Sequence, residues 1–201
     1  MIFDEPEGAT PLDPDEIAGL KFKHITTREQ LDELEQANIT QGLRWLERRK
    51  RRKDDVLDDA FLRKLHDQLF GDVWAWAGAY RLTEKNIGID PVQISVQLRG
   101  LVGDAQFWAK NRTYAPLEAG ARFHHKLVQI HPFPNGNGRH ARIVTDAILQ
   151  DYFGHEPIQW TDGFDLQADN ERRNAYIAAL RAADKGDLDP LLAFVGAESE
   201  G

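Results

Sequence analysis

The 201-residue chain contains no cysteine, which excludes disulfides, thiolate metal sites and cysteine nucleophiles together. It also has no run of the roughly 18 to 20 apolar residues that a membrane-spanning helix requires. Its opening stretch, MIFDEPEGATPLDPDE, lacks the basic and apolar regions of a secretory signal. Positive charge is not in excess either: 25 Lys and Arg face 33 Asp and Glu, a formal net charge of -8, which argues against broad nucleic-acid affinity. The expectation is a soluble cytoplasmic protein with no membrane role. One run dissents, Arg48, Arg49, Lys50, Arg51, Arg52 and Lys53. Followed at once by Asp54 and Asp55, it reads as a solvated helix end favoured by the helix dipole.

Hydrophobic residues at 41% and charged residues at 29% are the composition of an ordinary globular domain. Pro, Asp and Gly without periodicity predict an irregular arm over residues 1–26, carrying no chemistry. The domain is expected over 27–195, with a short tail at 196–201. Thr27 stands three before Gln30 as in a capping box, and Leu31, Leu34, Asn38, Ile39, Leu43 and Leu46 follow at helical spacing. Val56, Leu57, Phe61, Leu65 and Leu69 predict a second helix. Further helices are expected at about 93–110, 116–130, 138–153, 169–185 and 188–195. Between Gly78 and Pro91, the pattern Tyr80, Leu82, Ile87, Ile89 with turn-formers between predicts a short β-hairpin. The fold class is therefore mainly α.

The chemistry concentrates in His131-Pro-Phe-Pro-Asn-Gly-Asn-Gly-Arg139-His-Ala-Arg142. Pro132 and Pro134 stop the preceding helix, and Asn135 to Gly138 supply a turn able to adopt positive φ. A helix starting near 138 adds its positive end to the turn's N–H groups, which makes an anion cradle. Arg139 and Arg142, three apart on the first turn, are placed to converge on the same anion. At the head of the loop, His131 has an imidazole able to accept a proton near neutral pH. Lone histidines such as His66 and His155 read instead as satisfied structural residues, and His124 and His125 as packed or solvent-facing.

These residues resemble the HPFxxGNGRxxR signature of the Fic family. Trp76-Ala-Gly-Ala-Tyr80-Arg81 with Asn86-Ile87 is similar to the family's flap region, and Arg173 to Leu180 with Ala183 to Asp187 to its closing helices. The likeness spans roughly residues 27–195 and is strongest to the mobile mystery protein B group, often encoded beside a small helix-turn-helix protein. It implies a Fic-type helical bundle that transfers AMP from ATP to a Ser, Thr or Tyr hydroxyl of a target protein, with His131 as base. Gly136, Asn137 and Gly138 would hold the α- and β-phosphates, Arg139 the β- and Arg142 the γ-phosphate. Phe133 would anchor the loop, and Tyr176 would lie by the base or ribose. Thr83, Asn86, Ile87 and Ile89 of the flap would dock the target.

The resemblance departs at Asn135, where AMP-transferring members usually carry Asp or Glu to bind magnesium. A neutral amide oxygen ligates magnesium without contributing charge. Other phosphate-containing donors, or a nucleotide- or partner-binding role without turnover, therefore stand as alternatives. The family also implies an inhibitory glutamate that pairs with the motif's second arginine. Glu35 is the candidate, although Leu31 and Gln36 occupy the slots where Ser/Thr and Gly/Asn are usual. Finally, Gly136-x-Gly138-x-x-Ala141, after strand-like Leu127 to Ile130 and before Glu156, fits a dinucleotide fingerprint only weakly, because His-Pro-Phe-Pro intervenes.

Overall fold

Thr27 caps the long helix that frames the site: its Oγ1 accepts the Gln30 N–H, while Gln30 Oε1 accepts the N–H groups of Thr26 and Thr27. The computed structural model describes residues 12–49, 56–161, 166 and 170–197. After a short α1 (Pro14–Ile17) come α2 (Arg28–Arg48), α3 (Asp59–Phe70), a 3-10 turn (Pro91–Gln93) leading into α4 (Ile94–Asn111), α5 (Pro116–Ile130) and α6 (Asn137–Ile148). The chain closes with α7 (Glu171–Ala183) and α8 (Asp189–Val195). The main core joins one face each of α2 to α6, and a second, smaller core joins α5 to α7 and α8. Each fully buried Leu or Phe in them contributes about 1.5–3 kcal/mol relative to exposure.

The helices match the periodicity to within a few residues, with physical reasons for the differences. Val56 and Leu57 are buried as expected, but in the turn that leads into α3. α6 gives way after Ile148 to a π-helical turn, Leu149–Phe153, ended by Gly154 at φ 63° with its N–H on the Leu149 carbonyl. Leu127 to Ile130 end α5 and form no strand, which removes the dinucleotide reading. Among the described residues no helix is long and apolar enough to cross a membrane. Of the basic run, Arg49 is tied to Asp151 at 2.6 Å and lies over the Phe61 ring, so it is not a solvated end. Lys50 to Lys53 lie outside the described residues.

The expected β-hairpin is absent: among the described residues the isolated bridge is Leu20 with Trp74. Backbone N–H groups on the two arms of residues 79–90 bond to the end of α5 and the loop after it rather than to one another. Arg81 N–H donates to Pro132 O at 2.9 Å and Ile89 N–H reaches Ile130 O at 3.5 Å. With those groups engaged elsewhere, no ladder closes between the arms.

Candidate active site

α5 ends by placing His131 in the left-handed region, at φ 53° and ψ 63°, with its N–H still on Leu127 O. A non-glycine residue held there costs about 1–3 kcal/mol and persists only where its surroundings over-determine it. Here the Arg81 guanidinium holds the His131 carbonyl at 2.6 Å. The imidazole is 5% exposed, and burial, reinforced by the nearby Arg81 charge, lowers its pKa to about 4. A backbone hydrogen bond at Val128 opposes that shift. The ring is therefore neutral at physiological pH and able to accept a proton.

The loop after His131 is tied from within. Asn137 Oδ1 accepts the Phe133 N–H at 2.9 Å and its Nδ2 donates to Phe133 O at 2.8 Å. The Asn137 Oδ1 and one Nδ2–H are thus engaged in shaping the loop. Phe133 is fully buried and stacks on His66 with centroids 3.8 Å apart, the anchoring role expected of it. His66 accepts the Gly78 N–H on Nδ1, so its Nε2 carries the proton donated to Asn135 O at 3.0 Å. Gly136 is the N-cap of α6 at φ 76°, and a Cβ there would lie 2.7 Å from the Phe70 ring. Glycine is required on both counts. No side chain caps the first turn of α6, which leaves the helix's positive end to the cavity.

That cavity, of about 660 Å³, is lined by His131, the loop Asn135 to Arg139, Arg142, Ile87 to Ile89 of the flap, and by Tyr176 and Ile177 of α7. It brings together the predicted base, phosphate loop, arginines and part of the flap. The two arginines are held differently. Arg139 Nη1 bonds Glu35 Oε2 at 2.6 Å, and the second Glu35 oxygen accepts the Trp74 Nε1–H at 2.7 Å. Glu35 is 4% exposed, so it is not a solvated helix glutamate, and its partner is the first arginine rather than the expected Arg142. Arg142 sits over the Tyr176 ring at 5.7 Å. The Tyr176 hydroxyl also meets His124 Nε2 at 2.8 Å, which makes Tyr176 the support of Arg142 as well as part of the cavity wall.

Among the described residues no group of three or more His, Cys, Asp or Glu is placed to hold a metal. The Asn135 amide oxygen accepts the N–H of Gly136 at 2.5 Å. One neutral oxygen already engaged is a poor fit to magnesium, which favours carboxylates beside substrate phosphates. These residues do not make a protein-held magnesium site.

The arm, expected to carry no chemistry, grips the flap. Thr83 Oγ1 donates to Asp13 at 2.8 Å, and Lys85 bonds Asp13 at 2.9 Å and also Glu16. Pairing over some 70 positions has no local signature in the sequence. His125 bonds Asp184 at 2.9 Å, and both line the cavity, while His155 Nδ1 meets Glu156 O at 2.7 Å.

Residues 56–149 match the Fic/DOC family. The chain is similar to the protein adenylyltransferase fic-1 of Caenorhabditis elegans, at 31% identity over 73% of this chain and 27% of that protein. It therefore spans about a quarter of that relative's length. Among solved structures it is similar to Fic-1 from C. elegans, at 27% identity and TM-score 0.63 over 89% of this chain and 50% of that one. It is also similar in fold to the BepC protein of Bartonella tribocorum, solved with bound AMPPNP, at 19% identity and TM-score 0.68 over 95% and 93% of the two chains.

Proposed function

From the premise that the chain carries a Fic/DOC-family domain, we propose that it is a protein adenylyltransferase moving AMP from ATP to a Ser, Thr or Tyr hydroxyl of a target protein. The observation that carries this reading is a buried, neutral His131 sharing one cavity with an uncapped helix start and two arginines. His131 takes the proton of the target hydroxyl as that oxygen bonds to the α-phosphorus; the bond from the α-phosphorus to the bridging oxygen breaks and pyrophosphate leaves. Backbone N–H groups at Asn137 and Gly138 stabilise the charge that develops on the phosphate oxygens. Arg139 takes the β-phosphate and Arg142 the γ-phosphate, while Tyr176 borders the nucleoside. Thr83, Asn86, Ile87 and Ile89 of the flap dock the target, and the cytoplasm is the compartment in which this occurs. Mass spectrometry of a cell lysate incubated with the protein and ATP is the test. Peptides carrying AMP on a hydroxyl are expected, and their absence beside demonstrable ATP binding would favour a binding module.

Restraint enters through Glu35. While its carboxylate holds Arg139, that arginine is not free for the β-phosphate, so ATP binds in a less productive pose. Should Glu35 prove inert, a small helix-turn-helix partner is the next source of inhibition to test.

No step above passes through magnesium, and Asn135 is where this chain differs. Asn135→Asp is expected to raise the rate several-fold and to make it more dependent on added magnesium, because it supplies a carboxylate where the loop has an amide. Initial rates across a magnesium titration check this. An unchanged or lower rate would mean the loop is built for another donor.

A further inference from the structure

The flap's arms share no backbone ladder, yet they are joined through one side chain. Arg81 Nε donates to His131 O at 2.6 Å, Nη1 to Thr83 O at 2.8 Å, and Nη2 to Ile89 O and, at 3.4 Å, to Ile130 O. Its own N–H adds the bond to Pro132 O. The residue is 2% exposed, and these side-chain bonds all go to backbone carbonyls. The guanidinium thus stands where cross-strand hydrogen bonds would stand in a hairpin, with the base of the reaction as its third anchor.

We propose that Arg81 is a positioning residue for the transfer: it sets the spacing between the target-docking flap and the His131 backbone, so that the docked hydroxyl meets the imidazole. This rests on the reading of His131 as base and of the flap as docking surface. The fork geometry is essential, because carbonyls on both arms and at the loop head lie in different directions. A lysine offers three donors from one point and cannot span them. Packing around the fork is equally close. A Cβ at Gly88, which sits at φ 107°, would lie 2.6 Å from Arg81 Nη2 and 2.8 Å from His131 Cβ, so the flap meets the arginine and the base at a single point. Displacing reacting groups by about 1 Å costs on the order of 100-fold in rate.

The test uses Arg81→Lys and Gly88→Ala in the full chain, the latter keeping every donor while pushing flap, arginine and His131 apart. Protein-bound label from α-labelled ATP is measured in a cell lysate, ATP affinity by equilibrium dialysis, and hydrogen exchange over residues 83–89 by mass spectrometry. In folded variants the transfer rate is expected to fall about 10- to 100-fold, ATP affinity to stay within about two-fold, and exchange to quicken in the flap but not in α5 or α6. Normal transfer with slow flap exchange in both variants would overturn the proposal. So would a loss of ATP affinity equal to the loss of rate, which would mark a merely structural role. If the unaltered chain transfers no label, the adenylyltransferase reading fails, and the flap exchange alone then decides whether Arg81 holds flap and loop together.

Discussion

His131→Ala is expected to lower AMP transfer by roughly 10²–10⁴-fold, the usual scale of general acid–base catalysis. The ring makes its contribution when the target hydroxyl loses its proton, so the loss belongs to the chemical step, and ATP affinity should change little. On the proposed reading, phosphate is held by the start of α6 and by Arg139 and Arg142 rather than by the imidazole. Because residue 131 adopts a left-handed backbone, His131→Asn is the companion variant; asparagine tolerates that conformation better than alanine. Single-turnover rates and ATP dissociation constants for both variants check this. Turnover near the unaltered rate would remove His131 from the mechanism.

Acid should destabilise this protein from about pH 6 downward, before the ordinary carboxylates titrate. Burial lowers the pKa of His124 to about 3, of His131 to about 4 and of His140 to about 4, and lowers that of His66 as well, from an ordinary 6.5. The folded form therefore binds fewer protons than the unfolded chain once the pH drops below 6.5. Each such histidine removes up to about 1.4 kcal/mol of stability per pH unit until its folded value is reached. Asp146 acts with the opposite sign: burial raises it to about 6, so it takes up its proton first in the folded state and offsets one histidine between pH 6 and its ordinary 3.8. His124, His131 and His140 against one carboxyl leave a net loss of about 3 kcal/mol per unit from pH 6 to 4, to which His66 adds, a large share of a domain's typical stability of about 5–15 kcal/mol. Urea midpoints at pH 7, 6 and 5 should fall steeply. A midpoint unchanged from pH 7 to 5 would contradict these neutral buried rings.

What was legible in the sequence follows from how each feature is encoded. Helices with one buried face repeat their apolar residues every third or fourth position, so α2 to α8 could be placed to within a few residues. The anion loop was legible because proline, glycine and arginine at those spacings constrain the backbone locally. Contacts across the fold were not. Glu35 follows Leu31 by four and precedes Ile39 by four, which puts it on the buried face of α2, and this spacing was the available sign that it is no surface glutamate. Its choice of Arg139 over Arg142 depends on how α2 lies against the start of α6. The flap looked like a hairpin because alternation reports exposure on two faces but not which backbone groups pair. Arg81 resolved that pairing from outside the pattern. The second role of Asn137 was hidden for a related reason: an amide in a loop serves a ligand or its own backbone equally well, and here it bonds both the N–H and the O of Phe133.

The most direct measurement of the central claim is the fate of labelled ATP. The chain and its Glu35→Gln variant, which keeps an acceptor for Trp74 while removing the charge from Arg139, are incubated in a cell lysate with ATP labelled at either the α- or the γ-phosphate. Label from the α-phosphate should appear on protein, more strongly by several-fold with Glu35→Gln and not at all with His131→Ala. Label from the γ-phosphate on protein, or no label from either position although both forms bind ATP, would contradict AMP transfer.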